Sequence, residues 1–486
     1  MCIRDRNIKL SENKYSLSNT IKDFVKNKNY AHPKYWAPFI PIGKYWGSTE
    51  KNKKRFKIVS TSNFGSDNYQ DHFRDKIKFD TSIYVTAESG SFSGNKSTLA
   101  SFLLKYDLNG NLKSKYYLAN FADPFIFGIH NKKIYLSLFN ENVSSNLKEQ
   151  SNSFFAIGVY DITRNSFESL SEKKFMSGPV RKIVEKYCLK KKDCRMVGNY
   201  MRGEVIYMLV GSYSSKNDGI GAHERNATYI LIKYNIGKKT STVYEFPENK
   251  LNNIFQNDVI EINRDKNLVV NINGKLNVFI NTERWENDIP LGKFSEHYVF
   301  ENNKFVLKNV FKNWTFKKYL EDQNVLVGYK YFELPKSLTH NSYYSNSINS
   351  DIAFFSFTNN EIKLINSIEL PNSQGIHDII KLKDKYLILG ATRTNLKGWK
   401  LLKSFKGETS AFDGDLINDL QLDLQDLHGS KDPVLILLDK NFNYLDSEVY
   451  IDRIAARIRS IEKIDDEHYI LFNDFGTRSF VTLNKL

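Results

Sequence analysis

The sequence predicts a mainly β fold, a seven-bladed β-propeller running from about residue 57 to the C-terminus. Three observations point to it. A strand with an aromatic or aliphatic core recurs seven times. A second strand ending in a polar hairpin follows most of these. The spacing between recurrences stays near sixty residues over the whole region.

The first recurring strand reads Ile83-Tyr-Val-Thr, Ile134-Tyr-Leu-Ser, Ile206-Tyr-Met-Leu, Leu268-Val-Val-Asn, Val325-Leu-Val-Gly, Tyr386-Leu-Ile-Leu and Tyr469-Ile-Leu-Phe, at intervals of 51, 72, 62, 57, 61 and 83 residues. The second ends in Tyr-Asp or an equivalent before a turn. Examples are Leu104-Lys-Tyr-Asp-Leu-Asn-Gly110, Gly158-Val-Tyr-Asp-Ile-Thr-Arg164, Ile232-Lys-Tyr-Asn-Ile-Gly237, Phe355-Ser-Phe-Thr-Asn-Asn360 and Leu437-Leu-Asp-Lys-Asn441, with Val299-Phe-Glu-Asn-Asn303 a weaker member. Asn-Gly and Asn-Asn tips supply the positive φ of tight hairpins. A further strand leaves the turn, as in Leu112–Leu118 or 361–370. A supersecondary unit repeated at such a period is the sequence signature of propeller blades. The last segment, Ile458–Leu486, holds only about three strands, whereas Phe56-Lys-Ile-Val-Ser-Thr is a spare one near the start. The two are expected to pair and close the ring. A six-bladed ring with one irregular hairpin outside it is the alternative, and a two-sheet sandwich does not explain the even spacing.

Two inserts interrupt the repeat. Residues 179–195 predict a short helix, Val180-Arg-Lys-Ile-Val-Glu-Lys, leading into a Lys-rich loop between Cys188 and Cys194. Residues near 400–431 include Asp413, Asp415, Asp419, Asp423 and Asp426 with Leu416, Leu420 and Leu424 at helical spacing. No closing Glu completes a calcium loop there, so a solvated helical insertion is expected.

Composition supports strands and limits the functions available. Aromatics make up 14 % of the chain, with 34 Phe and 28 Tyr, a bias toward pleated sheets. No apolar run reaches the roughly 18 residues of a membrane span, and no signal peptide is visible. The net charge is +15. Residues 1–55 hold 13 Lys or Arg against 4 Asp or Glu, and the other 431 residues hold 57 against 51. The long region is nearly balanced, which argues against a nucleic-acid partner. Three cysteines cannot form a disulfide framework. Cys188 and Cys194 bracket a hairpin-like loop and are candidates for one bridge, which would favour a periplasmic or extracellular setting over a cytoplasmic one.

The first residues differ in kind. Met1-Cys2-Ile3-Arg4-Asp5-Arg6 looks like an adaptor-derived scar found on some metagenomic reading frames, so residues 1–10 are set aside and the natural chain is expected to start further upstream. Ser16 caps a helix with Leu17, Ile21, Phe24 and Val25 on one face. An extended segment follows, Tyr30-Ala-His-Pro-Lys-Tyr-Trp-Ala-Pro-Phe-Ile-Pro-Ile-Gly43, in which Pro33, Pro38 and Pro41 forbid a helix.

This helix and strand, over residues 11–46, resemble the C-terminal end of the CHAT domain, a caspase-like cysteine peptidase family associated with TPR repeats. The residues that carry the resemblance are Ala31, His32, Pro33, Tyr35, Trp36, Ala37, Pro38, Phe39, Ile42 and Gly43; Lys34 and Pro41 depart from the pattern. The resemblance implies that His32 is structural. It also implies that the family's catalytic His and Cys lie upstream of this motif, so this chain lacks the peptidase dyad. It covers under a tenth of the chain. Residues 47–56 read as a basic linker. A bacterial parent with a CHAT-type domain ahead of a propeller follows, the propeller acting as a module for a protein or small-molecule ligand.

A rival reading rests on Gly375-Ile-His-Asp378. A His-Asp on an inner strand resembles that of propeller enzymes such as aryl sulfotransferases. His377, with Arg393 and Arg478 just after equivalent strands of other blades, and Arg457 and Arg459, would then line one mouth of the ring and hold an anion. Ordinary inter-blade salt bridges are the plainer explanation of these residues. No histidine pair has metal-ligand spacing, and no GxSxG, P-loop or dinucleotide fingerprint is present, so no metal or cofactor is expected.

Overall fold

The computed structural model describes residues 56–486 apart from 65–70, 94–99, 121–123, 140–154, 189–192, 218–221, 248–257, 263–266, 287–288, 332–349, 359–360, 369–372, 393–431, 450–455 and 476–477. The chain divides into two units, Met1–Arg55 and Phe56–Leu486. The CHAT-like segment and the acidic insert both fall outside the described residues.

The second unit is a seven-bladed β-propeller. Strand β1 (Lys57–Phe64) precedes the first complete blade. Blade 1 is β2 (Asp71–Phe79), β3 (Ser82–Ser89) and, after the one-turn helix α1 (Gly90–Ser93), β4 (Ala100–Asp107) and β5 (Leu112–Asn120). Blade 2 is β6 (Phe125–His130), β7 (Lys133–Phe139), β8 (Phe155–Asp161) and β9 (Ser166–Ser171). Helices α2 (Glu172–Phe175) and α3 (Gly178–Cys188) lead into blade 3: β10 (Asp193–Arg202), β11 (Val205–Asn217), β12 (Ala222–Asn235) and β13 (Thr240–Glu245). Blade 4 opens with β14 (Asp258–Ile262) and β15 (Leu268–Ile272), both paired with β16 (Lys275–Glu286), followed by β17 (Ile289–Glu301) and β18 (Lys304–Lys312). Blade 5 is β19 (Trp314–Leu320), β20 (Val325–Tyr331), β21 (Ser350–Thr358) and β22 (Glu361–Ile368). Blade 6 is β23 (Ser373–Leu382), β24 (Lys385–Thr392), β25 (Asp432–Asp439) and β26 (Tyr444–Val449). Blade 7 has only β27 (Ala456–Lys463), β28 (His468–Phe475) and β29 (Arg478–Lys485) of its own, and β1 pairs antiparallel with β29 as its outer strand. The expected closure is therefore the observed one, and the six-bladed alternative falls.

Blades stack because neither face of a four-stranded sheet can stay wet. Seven hydrophobic clusters fill the seven gaps between blades, one each. On β3, Ile83, Val85 and Ala87 pack toward blade 7, and Tyr84 packs toward blade 2. Second strands buried on both faces read as continuous apolar runs, which is why they were visible in the sequence. The helix expected in the 179–195 insert is α3. It buries Val180, Val184 and Cys188 in the cluster shared by blades 2 and 3.

One assignment needs correction. Six of the seven recurring strands are second strands of their blades, but Leu268-Val-Val-Asn is the first strand of blade 4. The true counterpart begins at Leu276 in β16, which buries Leu276, Val278, Phe279 and Ile280. Both halves of the hairpin are short apolar runs, so pattern alone could not rank them.

Antiparallel order in each blade puts the second-to-third connection and the link to the next blade at one face. The strand ends that bound residues 140–154, 172–192, 248–257, 332–349 and 393–431 all lie at that face. The opposite face carries tight turns. Two of them share one construction. Asp107 Oδ1 accepts the N–H groups of Asn109 and Asn111 at 3.0 and 2.8 Å, and Asp439 Oδ1 those of Asn441 and Asn443 at 2.8 Å each. Each turn needs one left-handed residue, Gly110 (φ 81°) in the first and Phe442 (φ 64°) in the second. A phenylalanine is tolerated because its ring is buried, stacked on Phe354 at 4.4 Å and against Tyr386 at 4.9 Å. Burial of such a ring, worth about 3 kcal/mol or more, outweighs the roughly 1–2 kcal/mol of the backbone.

Candidate functional site

The first strands of successive blades lie against one another around the axis. Most carry a β-bulge at one level, after an apolar residue: Phe73-Arg-Asp75, Ile126-Phe-Gly128, Met196-Val-Gly198, Phe316-Lys-Lys318, Ile376-His-Asp378 and Ile458-Arg-Ser460. In blade 4 the register with β16 shifts at the corresponding place, from Ile262 opposite Thr282 to Leu268 opposite Phe279. A bulge frees backbone groups from the ladder, and buried groups of that kind need partners. Neighbouring blades supply them. Thr86 Oγ1 donates to Pro124 O at 2.8 Å, and Ile126 N donates to Asp75 Oδ2 at 3.0 Å. Asn267 N donates to Val197 O at 2.6 Å. Asn281 donates to Phe316 O and accepts from Phe316 N, at 3.0 and 3.2 Å. Tyr329 Oη donates to Ile376 O at 3.2 Å. Close approach explains Gly198, since a Cβ there would stand 2.8 Å from Asn267 O.

Across blades 5, 6, 7 and 1 this belt becomes ionic. Asp378 Oδ1 accepts from Lys318 Nζ at 2.7 Å and from Ile379 N at 2.9 Å. Asp378 Oδ2 accepts from Lys76 Nζ at 2.8 Å and from Ile461 N at 3.5 Å. Lys76 Nζ also lies 3.5 Å from Glu462, and Lys318 Nζ donates to Ile379 O at 2.9 Å. Lys78 Nζ donates to Lys463 O and Ile464 O at 3.2 and 2.8 Å. The side chains of Lys76 and Asp378 are each only 12 % exposed, so the pair is well shielded, whereas Lys318 at 43 % faces water. Burial pushes the Asp378 carboxyl up, but the Lys318 and Lys76 ammoniums outweigh it and hold the group far below the ordinary carboxylate range. Burial likewise opposes the charge on Lys76, and Asp378 and Glu462 reverse that effect, raising it. With four donors on its two oxygens, Asp378 is a structural anion. A carboxylate so engaged is a poor general base.

The sequence placed His377 and Asp378 on an inner strand, and they are on one. His377 is the bulged residue of β23 and is exposed. Arg393 lies outside the described residues. Arg478 opens β29, but its side chain, like that of Arg457, is outside them too. Arg459 is half-buried on β27. Among the described residues no three His, Cys, Asp or Glu side chains are grouped to hold a metal, and no helix is long and apolar enough to cross a membrane. Cys188 is buried and disulfide-bonded. The side chain of Cys194, near the start of β10, is outside the described residues. Sequence reading missed Lys76, Lys318 and Glu462. The signal that could have found them is the recurring bulge triplet, an apolar residue followed two positions on by Asp, Gly, Lys or Ser: Lys318 closes one, and Lys76 and Glu462 follow two others by one and two positions.

A second polar group sits inside blade 4. His297 has no exposed surface, stacks on Phe279 at 4.5 Å, and its Nε2 lies 2.8 Å from Asn277 Oδ1. Burial, with Lys308 nearby, lowers its imidazole from 6.5 to about 4.

No protein-family model and no curated protein matches the chain. Several solved structures match it at low similarity. The β-propeller domain of the Trilobed protease from Pyrococcus furiosus, described as having an open velcro topology, is 11 % identical, with a TM-score of 0.43 over 86 % of this chain and 95 % of that one. The uncomplexed acylaminoacyl peptidase of Pyrococcus horikoshii is 10 % identical, with a TM-score of 0.45 over 86 % of this chain; the match spans 52 % of the peptidase. Polysaccharide lyase Uly1 is 8 % identical, with a TM-score of 0.43 over 88 % of this chain and all of that one. Identities and scores this low identify no activity.

Two pH windows follow from the buried groups. His297 is depressed in the folded state, so its stabilising contribution is complete above pH 6.5 and is lost as pH falls from 6.5 to about 4. The loss amounts to at most about 3 kcal/mol. Asp378 is also depressed, so its contribution is complete above its ordinary value of 3.8 and is lost only below it. Denaturant unfolding between pH 3 and 8 should show the upper step in the native chain and in Asp378→Asn, but not in His297→Gln. At pH 7, Asp378→Asn should cost about 3 kcal/mol, because it leaves the shielded Lys76 ammonium with only the more distant Glu462 carboxylate.

Proposed function

We propose that this chain is the C-terminal part of a bacterial CHAT-domain protein whose propeller recognises a protein or small-molecule ligand and so localises or regulates the upstream peptidase. The reading rests on adjacency. The aromatic segment around His32, Pro33, Tyr35, Trp36, Ala37, Pro38, Phe39 and Gly43 ends 14 positions before Lys57, where β1 begins. One structural observation favours recognition over catalysis within the propeller: the axial carboxylate is spent on joining blades, while the long connections gather at one face. Binding residues concentrate on loops held by a rigid scaffold.

The rival is a propeller enzyme using His377, Arg393 and Arg478, favoured by the exposure of His377 on an inner strand. Recovering the upstream coding sequence separates the two. A caspase-like core with a His and a Cys, ending in the segment at residues 31–43, is the expected finding. An upstream region without that pair would sink the peptidase reading.

We further propose that Cys188 pairs with Cys194, fastening α3 to the first strand of blade 3 and placing the protein in an oxidising compartment. Peptide mapping without reductant should recover residues 188 and 194 in one cross-linked product. Cys188 joined to Cys2 instead, or recovered as a free thiol, contradicts the pairing.

A further inference from the structure

Eight of the nineteen buried polar residues among those described fall between Asn267 and Thr315, in blade 4 and the start of blade 5. Two of them pose a matched chemical problem. Ser295 and His297 have no exposed surface, and neither Ser295 Oγ nor His297 Nδ1 has a hydrogen-bond partner in the protein. Both belong to β17, two residues apart, opposite Asn281 and Phe279 of β16. Their side chains therefore share the face turned toward blade 5.

The tautomer of His297 is fixed by its surroundings. Asn277 Nδ2 donates to Lys275 O at 2.9 Å, so Asn277 Oδ1 is the atom that faces the ring. That oxygen only accepts, and His297 Nε2 must carry the proton. Nδ1 is then a buried lone pair that needs a donor. Ser295 offers a hydroxyl hydrogen that needs an acceptor. Asn281 relieves neither atom: its amide bonds to Phe316 N and Phe316 O, and Ser295 Oγ and His297 Nδ1 stay without a partner. The two side chains stand two residues apart on one face of the strand and make no direct bond to each other, an arrangement one bridging molecule can serve.

We propose that Ser295 Oγ and His297 Nδ1 form a closed site for a single water molecule. The water accepts from the Ser295 hydroxyl and donates to His297 Nδ1, so each atom gets the partner it lacks. Buried waters of this kind are integral to a fold and costly to remove. Burial and Lys308 already favour the neutral ring, and the water satisfies its Nδ1 lone pair at the junction where Asn281 holds blade 5.

A crystal structure of the whole chain that shows ordered water tests the site. Electron density within about 2.7–3.2 Å of both atoms is expected. An empty space, or a direct bond between the two side chains, overturns the proposal. Ser295→Ala supplies the second reading. With the water present, the substitution strips it of one partner, lowers the melting midpoint and moves the ¹⁵N resonance of His297 Nδ1. At a dry site the same change removes a stranded hydroxyl, and a midpoint that stays level or rises counts against the water.

Discussion

A strand from ahead of the first blade completes the last one. Lys57–Phe64 pairs with Arg478–Lys485, and every other blade depends on that pairing. Each blade hides its two apolar faces against its neighbours. A ring with one open junction would leave two faces in water, so the seven inter-blade clusters stand or fall together. Val481 and Leu483 of β29 share their cluster with Phe64 of β1 and with Phe73, Ile83 and Tyr106 of blade 1. The closing strand thus lies within the packing between the last blade and the first.

The charged belt on the axis reinforces this closure from the inside. Lys76 of blade 1 reaches past Glu462 of blade 7 to Asp378 of blade 6, and Lys318 of blade 5 meets the same carboxylate. Four blades on both sides of the closing one are tied at a single anion. Buried ion pairs of this kind seldom add net stability over an apolar contact of equal volume, but losing one member is costly. They also specify which strands meet. The uncharged junctions use other means: Asn281 holds the backbone of Phe316, and Val197 O meets Asn267 N where Gly198 leaves room.

How much of this the sequence revealed follows from where burial falls. Second strands such as Ile83-Tyr-Val-Thr are buried on both faces and stood out as apolar runs. Third strands such as Leu104-Lys-Tyr-Asp were marked by their turns. First strands were nearly invisible, because their bulges break the alternation and their charged residues read as surface. Lys76 and Lys318 look like ordinary exposed lysines until the axis brings them to Asp378. The fourth repeat was misplaced because Leu268–Ile272 and the strand it pairs with, from Lys275, are both short apolar runs. His377-Asp378 was correctly sited on an inner strand, but a dipeptide could not show that the carboxylate turns to two lysines. The division of roles proposed for the parent protein is compatible with that finding.

Native-state hydrogen exchange on the intact chain tests the closure directly. If the ring is one cooperative unit sealed by β1, the amides of Lys57–Phe64 that bond to β29 exchange only through global opening. Their opening free energy and denaturant dependence would then match those of Ile470–Phe472 in the adjacent β28. Exchange of those β1 amides through a denaturant-independent fraying motion, while β28 stays protected, would contradict the account.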